Sequence, residues 1–98
     1  MNIQAMMKQA QKLQKDMMSA KEEIDKTEFT GTSAMVTVRL NGAKKLLEAK
    51  INAEQLEKED IEALEDMIVV AMNDALKQID EVTEQKLGKY TQGMPGLF

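Results

Sequence analysis

The chain has 98 residues, 13 basic against 17 acidic for a formal net charge of −4, and no His, Cys or Trp. A chain of this length makes one domain, which as a monomer buries roughly 60–65% of its unfolded surface, so its core is small. Without Cys there is no disulfide, thiolate nucleophile or zinc–thiolate site, and without His the commonest metal ligand and general base is missing.

Hydrophobic residues at 43% and charged residues at 31% are globular proportions, and no run approaches the length of a membrane span. The N-terminus has no secretory pattern, so the expectation is a cytoplasmic protein with no membrane partner. Only Phe29, Tyr90 and Phe98 are aromatic, against nine Met, so aliphatic and thioether side chains must fill the interior. A chain of this size without large aromatic burial is expected to need a second copy of itself.

The first element is a helix from about Asn2 to Lys26. Its apolar residues Ile3, Met6, Ala10, Leu13, Met17, Ala20 and Ile24 follow alternating spacings of three and four, a heptad seam free of Gly and Pro. About 24 residues at 1.5 Å each make ~36 Å, long for so small a protein. The seam serves either helix pairing between copies or packing within one chain.

The period then changes to two. Ala34, Val36, Val38 and Leu40 alternate with Met35, Thr37 and Arg39 as a half-buried strand, and residues 28–30 supply a short edge strand that Gly31 ends. Asn41-Gly42 suits a two-residue type I′ turn, which would set Leu40 opposite Ala43, Val36 opposite Leu47 and Ala34 opposite Ala49, leaving Lys45 as the misfit opposite Val38. Asn52-Ala53-Glu54-Gln55 has the form of a capping box that starts one helical turn. A second long helix begins near Asp60, carries Ile61, Leu64, Ile68, Ala71, Met72, Ala75, Ile79 and Val82 at helical spacing, and ends at Gly88. With Met67, Val69 and Val70 added, its first half is apolar on nearly every side and is expected to be buried from more than one direction. The expected organisation is one domain over residues 1–90 and a mobile tail over residues 91–98.

Charge is unevenly placed: residues 1–50 carry nine basic and six acidic groups, whereas residues 51–98 carry four basic and eleven acidic. On the first helix Lys8, Lys12 and Lys15 share the side opposite the seam, with Gln4 and Gln11 beside them. Lysines so spaced can contact phosphates and release counterions, and Gln can reach base edges; the plainer alternative is a solvated helix face. Lys86 and Lys89, at the end of the second helix, are secondary candidates. Glu62, Glu65 and Asp66 lack the loop oxygens of a calcium site, Ser19 and Ser33 have no His partner, and the glycines form no phosphate loop. No cofactor, metal or catalytic reaction is expected.

Taken in order, Met6-Met7-Lys8-Gln9-Ala10-Gln11, Asn41-Gly42, Leu64-Glu65-Asp66-Met67-Ile68, Asn73-Asp74-Ala75-Leu76 and Gly93-Met94-Pro95-Gly96-Leu97-Phe98 make the chain similar to the YbaB/EbfC nucleoid-associated proteins of bacteria. It departs from that pattern at Asn52-Ala53-Glu54, where the family usually reads Asp-Pro-Glu, and in a shortened glycine-rich run at Gly31-Thr32-Ser33-Ala34. The resemblance implies an α+β fold, an α-β-β-β-α chain with a three-stranded antiparallel sheet, in an intertwined tweezer-like homodimer. It also implies binding of double-stranded DNA in the nucleoid by the projecting helices. The alternative is a scaffold protein that acts on other proteins through its acidic half and through Met7, Met18 and Met35, with weak or indirect DNA association.

Overall fold

The computed structural model describes residues 2–91. Asn2 opens the chain as a helix cap, its side chain accepting a hydrogen bond from the Ala5 N–H at 3.2 Å, and α1 follows over Ile3–Lys26. At its other end Thr27 caps twice, its N–H donating to the Glu23 and Ile24 carbonyls and its hydroxyl to Glu23. Three antiparallel strands in the order β1-β2-β3 come next, β1 over Glu28–Ser33, β2 over Val36–Asn41 and β3 over Leu46–Ile51. The long helix α2, Asp60–Thr91, closes the chain. The α-β-β-β-α order and the sheet are those expected.

Alternation in β2 sends Val36, Val38 and Leu40 to one face of the sheet, and α2 covers that face with Ala71, Ala75 and Ile79. Phe29 on β1 completes this core, with Met35, Leu64, Met67, Met72, Leu76 and Val82 packed around it. Each fully buried aliphatic side chain, Leu40 foremost, contributes about 1.5–3 kcal/mol of transfer free energy. Small residues set the spacing: Ala71 and Ala75 on α2 meet Gly31 on β1, where a Cβ would lie 2.0 Å from the Ala71 carbonyl oxygen. Gly31 therefore does not end β1, contrary to expectation. The strand runs on to Ser33 because the glycine is what lets α2 approach.

The hairpin register also differs from the expected one. Val38 faces Ala49 and Val36 faces Ile51, whereas Leu40 faces Leu46, so β3 holds one extra residue at a bulge. The turn spans residues 41–45, with the Lys44 N–H donating to the Asn41 carbonyl, the Lys45 N–H to the Asn41 Oδ1, and Lys44 in the left-handed region at φ 69°. Gly42 answers a tertiary demand instead of a turn angle. Its N–H donates to the Thr27 carbonyl, and a Cβ there would lie 1.9 Å from the Ile24 carbonyl oxygen. Lengthening the loop moves Lys45 off the apolar face, which removes the misfit in the simpler register.

Between β1 and β2, Ser33 pairs with Val36 around a two-residue turn, so β2 begins at Val36 and not at Ala34. Ala34 has φ 47° and Met35 does not share the positive angle, the pattern of a type II′ turn, whose first central position prefers glycine. Ala34→Gly is expected to raise stability by up to about 1 kcal/mol, by removing the left-handed strain of a Cβ. Thermal melts of the two proteins test this, and an unchanged midpoint would show that the turn carries no strain.

Two further expectations are corrected. The capping box at Asn52 starts no helix, because Asn52 is tied to the sheet, its N–H donating to the Met35 carbonyl and its side chain to the Thr37 hydroxyl. The second helix does not stop at Gly88 but continues to Thr91: Leu87, only 2% exposed, gains more by burial than the roughly 1 kcal/mol a mid-helix glycine costs. Of the expected tail, Thr91 is the last residue of α2, and residues 92–98 lie outside the described residues.

The helices reach well beyond the sheet. α1 touches only α2 and β2, and β3 touches only β2, so α2 leaves the inner side of β3 uncovered. End to end, helices of ~36 and ~48 Å would exceed the molecule's 72 Å long axis by only about 12 Å, so they overlap over a short base.

Candidate nucleic-acid interface

The base of α1 is seated where Ile24, 2% exposed, and Leu87 meet. Beside them lies an open groove of about 650 Å³ lined by Lys21, Asp25, Lys44, Asp80 and Glu84 around an apolar floor. Its charges largely compensate: Lys21 lies 3.5 Å from Asp25 and Lys44 lies 3.4 Å from Asp80, so it presents no basic site. Sequence reading did not find this groove, whose lining comes from three separate elements.

Above that base α1 stands alone. Of the seam, Ile24 is buried and Met17 and Ala20 are half-buried, whereas Ile3, Met6, Ala10 and Leu13 are exposed, Ile3 at 69%. The first half of α2 likewise keeps Ile61, Val69 and Val70 more than half exposed, so in one chain the stretch expected to be covered from several directions is largely open.

Lys8, Lys12 and Lys15 are all exposed on this free part of α1, on the side opposite the seam, and none is in an ion pair among the described residues. They span about 10 Å along the axis and roughly 60° around it. Gln4 and Gln11 lie beside them, both exposed. No acidic residue occurs before Asp16, so the projecting segment is uniformly positive. Lys86 and Lys89 are exposed near the end of α2, lower on the same arm, with the Lys89 Nζ 5.0 Å from the Tyr90 ring centre.

Acidic groups collect at the other end. Asp60, Glu62, Glu65 and Asp66 begin α2, where carboxylates favour the helix dipole, and the helix runs from there past β1 to the base of α1. Midway, Asp74 accepts the Thr32 N–H at 3.0 Å while Gln78 donates to both Asp74 and the Thr30 carbonyl, so α2 occupies outward-facing backbone groups of β1. The Thr32 N–H, and secondarily Gln78, hold the Asp74 carboxyl below its ordinary value of 3.8. A depressed carboxylate contributes stability that is present above the unfolded value and lost as pH falls through the folded one. Asp74→Asn, which keeps an acceptor and cannot ionise, is therefore expected to flatten the loss of stability below about pH 4. Chemical denaturation at pH 6 and pH 3 measures the difference, and parallel losses in both proteins would contradict this role.

The described residues hold no group of three or more acidic side chains placed to bind a metal ion, and no helix is long and apolar enough to cross a membrane. What the arm offers is a rod with one basic and one apolar side. A family model described as the YbaB/EbfC DNA-binding family matches residues 1–94. The chain belongs to that family. A nucleoid-associated protein of Lactococcus lactis subsp. cremoris (strain MG1363) is 55% identical over 97% of this chain and 98% of its own. One from Enterococcus faecalis (strain ATCC 700802 / V583) is 43% identical over 98% and 94%. Among solved structures, the uncharacterized protein HP0035 from Helicobacter pylori superposes with a TM-score of 0.73 at 26% identity, covering 94% of this chain and 98% of that one. YbaB/EbfC membership brings with it nucleoid association and DNA binding, and the fold agrees with that of the solved neighbour.

Proposed function

We propose that this YbaB/EbfC protein is a non-enzymatic homodimer of the bacterial nucleoid that binds double-stranded DNA with little or modest sequence selectivity. Lys8, Lys12 and Lys15 of α1 meet the phosphate backbone, Gln4 and Gln11 lie close to it, and Lys86 and Lys89 add weaker contacts. The observation that carries this reading is that the stretch of α1 free of carboxylates is also the stretch that projects free of the rest of the chain. Duplex DNA carries a charge every ~3.4 Å along each strand, so a lysine row of about 10 Å matches roughly three phosphates of one strand.

The net charge of −4 does not oppose this. The acidic start of α2 lies toward the far end of a body 72 Å long, several screening lengths from the tip of α1, so DNA at the tip experiences mainly the local positive charge. A titration of random and selected duplexes at about 50 and 200 mM salt tests the reading: affinity should fall steeply with salt and differ little between pools. Absence of binding at low salt would shift the function to protein partners.

The second copy is assigned to the uncovered apolar surface beside the sheet. Leu46 and Ile51 on β3, Leu56 after it, and Ile61, Ile68, Val69 and Val70 on α2 are each 40% or more exposed, an apolar load unusual for a small monomer. Sedimentation at low micromolar concentration is expected to give a dimer, and Ile51→Lys with Ile68→Lys to give a monomer. A folded monomer before substitution would contradict the dimer.

A further inference from the structure

We propose that the free seam of α1 pairs antiparallel with the same seam of another copy, Ile3 against Leu13 and Met6 against Ala10, and so joins dimers arm to arm. The proposal does not rest on the DNA reading. Ile3 is 69% exposed and Met6 and Leu13 are 54% exposed, so no described residue of the same chain covers them. Alternating spacings of three and four are those of helices that pair, and they run on through this stretch, where the chain supplies no packing of its own. A helix segment of this length with no packed face is marginal in water, and a second arm gives it one.

The charges let two identical arms meet along this line. Asn2, Met7, Gln9, Gln14 and Asp16 flank the seam, all exposed and all but the last uncharged. Lys8, Lys12 and Lys15 lie on the opposite side, so pairing brings no two of them together and leaves them free. In the antiparallel register Gln9 and Met7 each fall beside their own counterparts, and Asp16 falls beside Asn2 of the other arm. That helix start is the positive end of the dipole and has no acidic residue in its own first turn, so the one carboxylate of the flank meets favourable charge. The overlap ends where Met17 and Ala20 become half-buried within the chain, and the two sheets stay at opposite ends of the paired rod. Its two-fold passes near residue 8, toward the other end of the 72 Å body from Ile61 and Ile68, so arm pairing and the dimer contact use separate surfaces. Four seam residues from each copy bury on the order of 800 Å², below the ~1,200 Å² of stable interfaces, so arms pair at high protein concentration and separate on dilution.

The test uses the full chain, without DNA. The sequence has no Cys, so Gln9→Cys supplies a sole thiol beside its own counterpart, and a short bismaleimide should link two copies there at close to millimolar protein. Gln14→Cys flanks the same seam but lies about 18 Å from its counterpart along the paired axis, and should link at least tenfold less. Adding Leu13→Glu to Gln9→Cys should abolish the link, whereas adding Ile51→Lys and Ile68→Lys should leave it. Sedimentation at low micromolar concentration reads the dimer separately, and Leu13→Glu should not change it. No link at residue 9, equal links from residues 9 and 14, or a Leu13→Glu variant that is a folded monomer at low concentration would each overturn the proposal; the last would give the seam to the dimer contact itself.

Discussion

Replacing Lys8, Lys12 and Lys15 together by glutamate is expected to weaken DNA binding by on the order of a hundredfold or more near 100 mM salt, and to abolish most of its salt dependence. Each phosphate contact accounts for nearly one unit of slope in a plot of log affinity against log salt, so three lost lysines remove about three units per arm. The fold should survive, since all three side chains are exposed and none is in an ion pair among the described residues. Circular dichroism and sedimentation of the variant establish that point. A variant that stays folded and dimeric and binds with parental affinity and slope would exclude this face of α1. Reversing Lys86 and Lys89 alone should cost much less, because they sit low on the arm, on α2 and apart from the lysine row of α1.

The largest effect on stability is expected at Gly31. In Gly31→Ala the added methyl would lie 2.0 Å from the Ala71 carbonyl oxygen and 2.8 Å from the Ala75 nitrogen, both main-chain atoms that no side-chain rotation can clear. Relief requires α2 to lift from β1, which opens the core around Phe29, Val38 and Ala75. The cost should exceed about 3 kcal/mol, a large share of the ~5–15 kcal/mol that holds a small domain folded. A fall in melting temperature of roughly 12 °C or more is the readout. Gly88→Ala is the control: its Cβ meets nothing within 4 Å, and helix propensity favours the alanine by about 1 kcal/mol. Equal effects at the two positions would mean that the Gly31 contact does not set the spacing of helix and sheet.

The sequence made legible those features that depend on local period and charge. α1 and its cap at Asn2 follow from the heptad spacing, β2 from alternation at Val36, Val38 and Leu40, and the lysine row from its position opposite the seam. The misread features share a tertiary origin. Gly31, Gly42 and Gly88 look alike as breakers, yet one admits a helix, one admits the Ile24 carbonyl, and one is carried inside a helix by the burial of Leu87. Nor could the period show how much of α1 would stand free, because that depends on where α2 ends. The pairing of Thr32 with Asp74 spans 42 positions and leaves no local trace.

The two margins of the sheet are unequal, and this limits how copies can accumulate. At β1 the Thr32 N–H and the Thr30 carbonyl are already taken by Asp74 and Gln78, whereas β3 has no strand on its far side. A sheet open at both margins can recruit neighbours without end, which is the geometry of fibres. With one margin occupied, a copy that adds to β3 spends its own open margin in the same contact and offers none to a third. Strand addition at β3 would therefore close at two copies, with the Asp74 carboxylate and the Gln78 amide of α2 standing against growth at β1.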